Sequence, residues 1–396
     1  MAKLDKETAL RLSEPVEDAY LDCVDRLVQN ICKHLGTGKA FRTADWETQK
    51  LAQLGQLTKE NAEIINAATK KVPQEIRNAL HESSEIALAD VEKMIREAIE
   101  SGALEQAPDD SVLAVLEDLM EQALDDANLT NTTMLQSSQA AYMQAVEEVV
   151  QWETRALSAA EAQGAIDVVN ELAVAVTSGT ETRNQALKKA ISQLSDRGIY
   201  GFVDSRGRHW SPEAYMAMEI RTASHNAAID SIRARQTDYG VDIFQVSSHP
   251  GARPLCYPYQ GRFFTWGSQS GEFTDGKGAR HRYRPITETS YGKPAGLFGI
   301  NCGHYPMPQI PRVTIPQDKP EPDKEKNDRE YRESQEQRSL EREIREAKRK
   351  QAAYKAAGLK DAAEAEGKTI SMRQAKMRSF IKRTGRRRRY DREQIK

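Results

Sequence analysis

No stretch of this sequence approaches the ~20 consecutive apolar residues that a membrane helix needs, so no membrane segment is expected. Only four cysteines occur in 396 residues. They are too few and too scattered for a disulfide framework. The opening Met-Ala-Lys-Leu-Asp-Lys-Glu lacks the apolar core of a secretion signal, which makes a reducing cytoplasm the expected compartment. Net charge is also nearly absent: the formal value of −2 argues at first sight against a strongly polyanion-binding protein. With 39% hydrophobic and 29% charged residues, the composition is that of a soluble chain of about two or three domains.

The near-neutral total is an average over unlike parts. Residues 1–160 carry 15 Lys+Arg against 29 Asp+Glu (net −14), 161–316 carry 17 against 14 (net +3), and 317–396 carry 25 against 16 (net +9). Eleven of the fifteen prolines lie between Pro250 and Pro322, and five of the seven histidines between His209 and His304. An acidic head, a balanced middle and a basic tail mark interaction surfaces at the ends. Three domains are expected: an acidic all-helical region over 1–198, an α+β module with a loop-rich half over 199–316, and a charged helical basic tail over 317–396. The fold class is α+β.

In the first part, Ser13-Glu14-Pro15 predicts a helix start, with a capping hydroxyl and a proline in the first turn. Val16, Tyr20, Cys23, Val24, Leu27, Ile31 and Leu35 form one helical face. Lys33, His34 and Gly36 give the stop. Similar patterns over 64–80, 86–99, 111–124, 134–157, 166–176 and 182–194 predict further helices. Chemistry-like fragments here are incomplete. His81-Glu82-Ser83-Ser84-Glu85 lacks the second histidine of a zinc-protease helix, and Gly36-Thr37-Gly38-Lys39 lacks the first glycine of a phosphate loop. Cys23 and Cys32 fall on opposite faces of one helix and cannot share a metal; Cys23 reads as a small buried hydrophobe.

After Gly198 the period changes. Residues 199–203 and 208–210 read as a hairpin around Asp204-Ser205-Arg206-Gly207, and Ser211-Pro212-Glu213 opens a helix. That helix carries the stripe Tyr215, Met218, Thr222, His225, Ile229 and Ile232, which makes His225 a core histidine. Strands are expected at 241–246 and 262–266, followed by aperiodic loops to 316. Those loops hold the chemically suggestive residues: His249, Arg253 and Cys256, then Asn301, Cys302 and His304. His249, Cys256, Cys302 and His304 form a possible tetrahedral zinc set, although Cys302-x-His304 is closer than the usual ligand spacing. Bracing of proline-rich turns is a second role for them. A Cys–His nucleophile pair is a third, with no acidic orienter in sight. Arg253, Arg280, Arg282 and Arg284 offer phosphate contacts.

The tail opens on a proline linker (Pro316, Pro320, Pro322). Residues 323–358 then read as a solvent-exposed helix held by pairs such as Glu341 with Arg345. Its seam of Leu340, Ile344 and Ala347 is too thin for a coiled coil. Met372, Ala375, Ser379 and Phe380 suggest a second short amphipathic helix. Arg386, Arg387, Arg388 and Arg389 are an electrostatic footprint for DNA or an acidic protein face, without base reading.

These residues resemble the minor capsid proteins encoded beside the portal in tailed phages of Gram-positive bacteria. The resemblance rests on Glu14-Pro15-Val16-Glu17-Asp18-Ala19-Tyr20, on Val246-Ser247-Ser248-His249-Pro250-Gly251-Ala252-Arg253-Pro254 with Tyr259-Gln260-Gly261, and on Gly299-Ile300-Asn301-Cys302-Gly303-His304. Gln337-Arg338-Ser339-Leu340-Glu341-Arg342-Glu343-Ile344-Arg345 and Phe380-Ile381-Lys382-Arg383-Thr384-Gly385 also carry it. Members often show Asn-Cys-Arg-His where this chain has Gly303. More distantly, the middle module is similar to the head-morphogenesis domain of Mu-like phages, where a helix like that carrying Arg221-Thr222 precedes the strand and the His/Cys loops. The resemblance implies a structural head protein in the virion, made in the host cytoplasm, with the portal and other head proteins as partners and no established catalysis. It marks Ser248, His249, Gly251, Arg253, Gly261, Asn301, Cys302 and His304 as the motif residues. Two other functions stay open: a head-carried effector enzyme (a nuclease or a nucleotidyl- or ADP-ribosyl-transferase) in 199–316, and a nonspecific DNA-binding protein acting through the tail.

Overall fold

The computed structural model describes residues 6–37, 43–107, 111–162, 171–197, 199, 202–203, 209–317 and 323–395. Gly38 and Lys39, the start of the 166–176 pattern, the turn 204–208, and Pro320 and Pro322 lie outside them.

Helix α1 spans Lys6–Gly36 and begins earlier than Ser13. The Ser13 hydroxyl donates back to the Leu10 carbonyl at 3.1 Å instead of capping an end. Pro15 sits inside the helix, where it forfeits its own N–H bond. The apolar stripe is as expected: all seven of its side chains, Val16 to Leu35, are fully buried. Gly36 ends the helix against Ala357, whose carbonyl oxygen would lie 2.5 Å from any added Cβ. The buried ammonium of Lys50 donates to the carbonyls of His34 and Thr37 and so serves the unpaired end of α1.

Helix α2 spans Thr43–Thr69 and α3 spans Val72–Glu100. The 64–80 pattern is therefore two helices, divided where Pro73 occupies the first turn of α3. Conversely, the 111–124 and 134–157 patterns belong to one 52-residue helix, α4, Ser111–Ala162. The polar stretch between them contains no Gly or Pro, and the hydroxyls of Thr132 and Thr133 bond carbonyls four residues back. Helix α5 follows over Glu171–Arg197.

Strands β1 (Phe202–Val203) and β2 (His209–Trp210) pair antiparallel as the expected hairpin. Helix α6, Pro212–Asp238, starts where Ser211 Oγ accepts the Ala214 N–H at 3.4 Å. It lies among β3 (Ile243–Val246), β4 (Phe263–Thr265), β5 (Gly271–Thr274), β6 (Arg280–Pro285) and β7 (Pro306–Pro308), which form one sheet in the order β5-β6-β4-β3-β7. Only the β4–β6 pair is parallel. Strands β5, β6 and β7 lie where only loops were expected. In β6 the exposed arginines 280, 282 and 284 alternate with His281 and Tyr283. Arg282 and Arg284 pair with Glu272 and Glu288 at 2.8 and 3.7 Å, and β6 lies inside the sheet between β5 and β4. Phe244, Val246, Phe264, Leu297 and Phe298 make the core with Ile229 of α6.

Helix α7 (Lys324–Ala356) and helix α8 (Lys360–Thr384) are joined through Gly358 at φ 77°. The expected solvent-exposed helix is corrected here. Leu340 and Ile344 are covered by Met377 and Phe380, and Glu341 is itself buried. The seam is thin because a second helix completes it. Met372, placed on the apolar face by sequence, is 66% exposed.

Two units emerge. One comprises residues 1–17, 71–127 and 216–336; the other comprises 18–70, 128–215 and 337–396. Each draws on more than one compositional segment. In the first, α3 and α6 meet through Ala87, Val91, Ile95, Ala228 and Ile232. In the second, Arg349 of α7 pairs with Asp25 of α1 and, at 3.2 Å, with Glu213. Among the described residues no helix is long and apolar enough to cross a membrane.

Candidate metal centre

Two β-turns aim the cysteines. The Cys256 N–H closes on the Arg253 carbonyl and the Cys302 N–H on the Gly299 carbonyl, each at 2.9 Å. The second turn is costly: Phe298 and Asn301 hold φ of 61° and 55°, a region Asn tolerates and Phe rarely enters. The two sulfurs thereby come to 3.8 Å, and Cys302 Sγ lies 3.4 Å from His304 Nδ1. The ligand atoms of Cys256, Cys302 and His304 all fall within 4.8 Å of one another, and all three residues are buried.

Around this trio the motif residues work as braces. Arg253 donates to the carbonyls of Ile300 at 2.8 Å and Gly296 at 3.3 Å, tying the first loop to the second. Gly251, at φ 69°, leaves room for α7, whose Asn327 clamps Ala252 through both backbone groups at 2.7 and 2.9 Å. Gly261, at φ 65°, returns the chain to β3 with its N–H on the Val246 carbonyl. Ser248 is half-buried at the rim and Asn301 is exposed. Gln260 Oε1 accepts the His249 backbone N–H at 2.8 Å and faces His304 Nε2 at 3.2 Å.

That last pair settles a tautomer. The backbone N–H is an obligatory donor, so the Gln260 atom facing it is the oxygen, and His304 Nε2 must donate to the same oxygen. A neutral His304 then presents an unprotonated Nδ1 to the Cys302 sulfur. The two cysteines polarise each other. Hydrogen bonding to Cys302, then burial, pushes the Cys256 thiol up; hydrogen bonding from Cys256, with further help from His225 and His304, holds Cys302 towards the thiolate. In contrast, burial pushes Cys23 and Cys32 up to about 12, as inert core thiols.

Of the four expected metal residues, three converge. His249 does not join them: its ring stacks on His304 with centroids 4.2 Å apart, and its Nδ1 faces the Pro250 carbonyl. The residue that sequence reasoning missed is His225 of α6. It was assigned to the core, and it is indeed only 7% exposed, but hydrogen bonding from it helps to hold Cys302 towards the thiolate. No spacing rule joins a helix residue to a loop 77 positions later. Of the tail arginines 386–389, two are engaged in the fold. Arg386 bonds Gln337 at 2.8 Å, and Arg388 grips the buried Glu393 through two bonds of 2.6 and 2.5 Å.

The model of the family described as phage minor capsid protein 2 matches residues 4–167 and 165–382. A protein of Lactococcus phage LL-H described as "Structural protein" is 31% identical over 154 residues, which cover 39% of this chain and 40% of that relative. The chain thus spans about two fifths of the length of that relative. No solved structure matches. The chain belongs to the phage minor capsid protein 2 family and is a structural phage protein.

Proposed function

We propose that this minor capsid protein is a low-copy head component seated beside the portal, taking part in head assembly or in DNA packaging and ejection. Its partners are the portal protein and other head proteins, met in the host cytoplasm during assembly and retained in the virion. The family match across residues 4–382 carries this reading. A structural role is supported by the burial of the Cys/His cluster, whose three residues are closed to solvent. An effector enzyme in 199–316 would need an accessible nucleophile and an orienting acid. DNA contact through the tail is left mainly to Arg387, the one exposed arginine of the four.

Co-expression with the portal protein of the same phage tests the reading. A complex surviving size-exclusion chromatography, with cross-links between the two chains, is the expected result. Separate elution without cross-links, at concentrations where portal rings form, would overturn it.

A further inference from the structure

We infer that Cys256, Cys302 and His304, completed by His225 of α6, hold one Zn²⁺ that locks the two motif loops onto the helix. Tetrahedral zinc with Zn–S of about 2.3 Å and Zn–N of about 2.0–2.1 Å requires S···S of about 3.8 Å and S···N of about 3.5 Å. The observed separations are 3.8 Å between the sulfurs and 3.4 Å from Cys302 Sγ to His304 Nδ1. Two thiolates and one Zn²⁺ cancel in charge, which suits a centre where Cys256 and His304 are each 1% exposed. Soft sulfur with imidazole selects zinc over calcium or magnesium.

The surroundings have the character of a built ligand shell. Gln260 fixes the His304 tautomer by accepting from Nε2, as outer carbonyls do for metal-bound histidines. For the fourth position, His225 and His249 compete. The His249 ring packs on His304 at a tilt of 35° with centroids 4.2 Å apart, and its Nδ1 faces the Pro250 carbonyl at 3.1 Å. His225 helps to hold Cys302 towards the thiolate, and its buried Nε2 has no hydrogen-bond partner. A metal gives that nitrogen its missing contact. The three ligand-bearing segments, two loops and one helix, share a small core, the situation in which a metal staple contributes most to stability.

The test uses the full chain, expressed with zinc in the medium and purified under reductant. Elemental analysis should give one zinc per chain. Cobalt exchange should give thiolate-to-Co²⁺ charge-transfer bands and the intense d–d bands of a tetrahedral site. Cys302→Ser should abolish binding, His225→Asn should weaken zinc affinity roughly tenfold or more, and His249→Asn should leave it unchanged. The cobalt spectrum of the wild-type chain decides the matter even where a variant fails to fold. A metal-free chain with reactive thiols at 256 and 302, or a Cys256–Cys302 disulfide in freshly trapped protein, would overturn the proposal. Zinc lost from His249→Asn but kept by His225→Asn would overturn the assignment of the fourth ligand.

Discussion

One guanidinium, that of Arg349, stands between two carboxylates in the second unit. Its side chain is 11% exposed, and its partners Asp25 and Glu213 are 1% and 11% exposed. Removing the arginine leaves two buried anions without their cation, a change that costs about 3–5 kcal/mol. Arg349→Met should therefore lower the urea midpoint strongly, and adding Asp25→Asn and Glu213→Gln should recover much of the loss. An unchanged midpoint in Arg349→Met would refute the assignment. Glu219 gives a pH signature. Burial, with Asp126 nearby, pushes its carboxyl up to about 7 from a usual 4.5. The folded state then holds a proton that the unfolded state has released, so this contribution is complete below about pH 4.5 and is lost as pH rises through 7. Glu219→Gln should flatten the fall of unfolding free energy between those values, by an amount on the order of 3 kcal/mol; parallel profiles for the two proteins would count against it.

At the level of elements, the α7–α8 hairpin rests on few side chains. Ile344→Ala should cost about 2–4 kcal/mol through the cavity it leaves among Leu340, Met377 and Phe380. Met372→Ala, at an exposed position, should stay within about 0.5 kcal/mol. Equal effects in thermal melts would mean that the seam is drawn wrongly. Elements with one apolar stripe, such as α1, were legible from spacing alone. Those depending on a distant partner were not. The α7 seam looked too thin because α8 supplies its other half, and α4 looked like two helices because its polar middle keeps helical geometry without an apolar face. Strand β7 consists of Pro306, Met307 and Pro308, a composition that argues against a strand unless it is an edge, which is where the sheet order places it. At the site, residue type marked Cys256, Cys302 and His304 although their spacing matched no usual ligand pattern, whereas His225 was hidden by its place on a core-facing helix.

For the whole molecule, the uneven charge is spent partly inward. The basic tail gives Arg349 to Asp25 and Glu213, and Lys350 to Asp196 at 3.2 Å, all within the second unit. Gly36 and Ala357 meet there too. The tail is thus a structural part of that unit. Deleting residues 337–396 should expose 18–70 to limited proteolysis, and full protection in the truncated chain would contradict this. We propose that the chain is a low-copy head component. Quantitative mass spectrometry of purified procapsids and virions tests it most directly. Peptides from this chain are expected in the particles at a copy number well below that of the major capsid protein and comparable with the portal; absence from both procapsids and virions would contradict this placement.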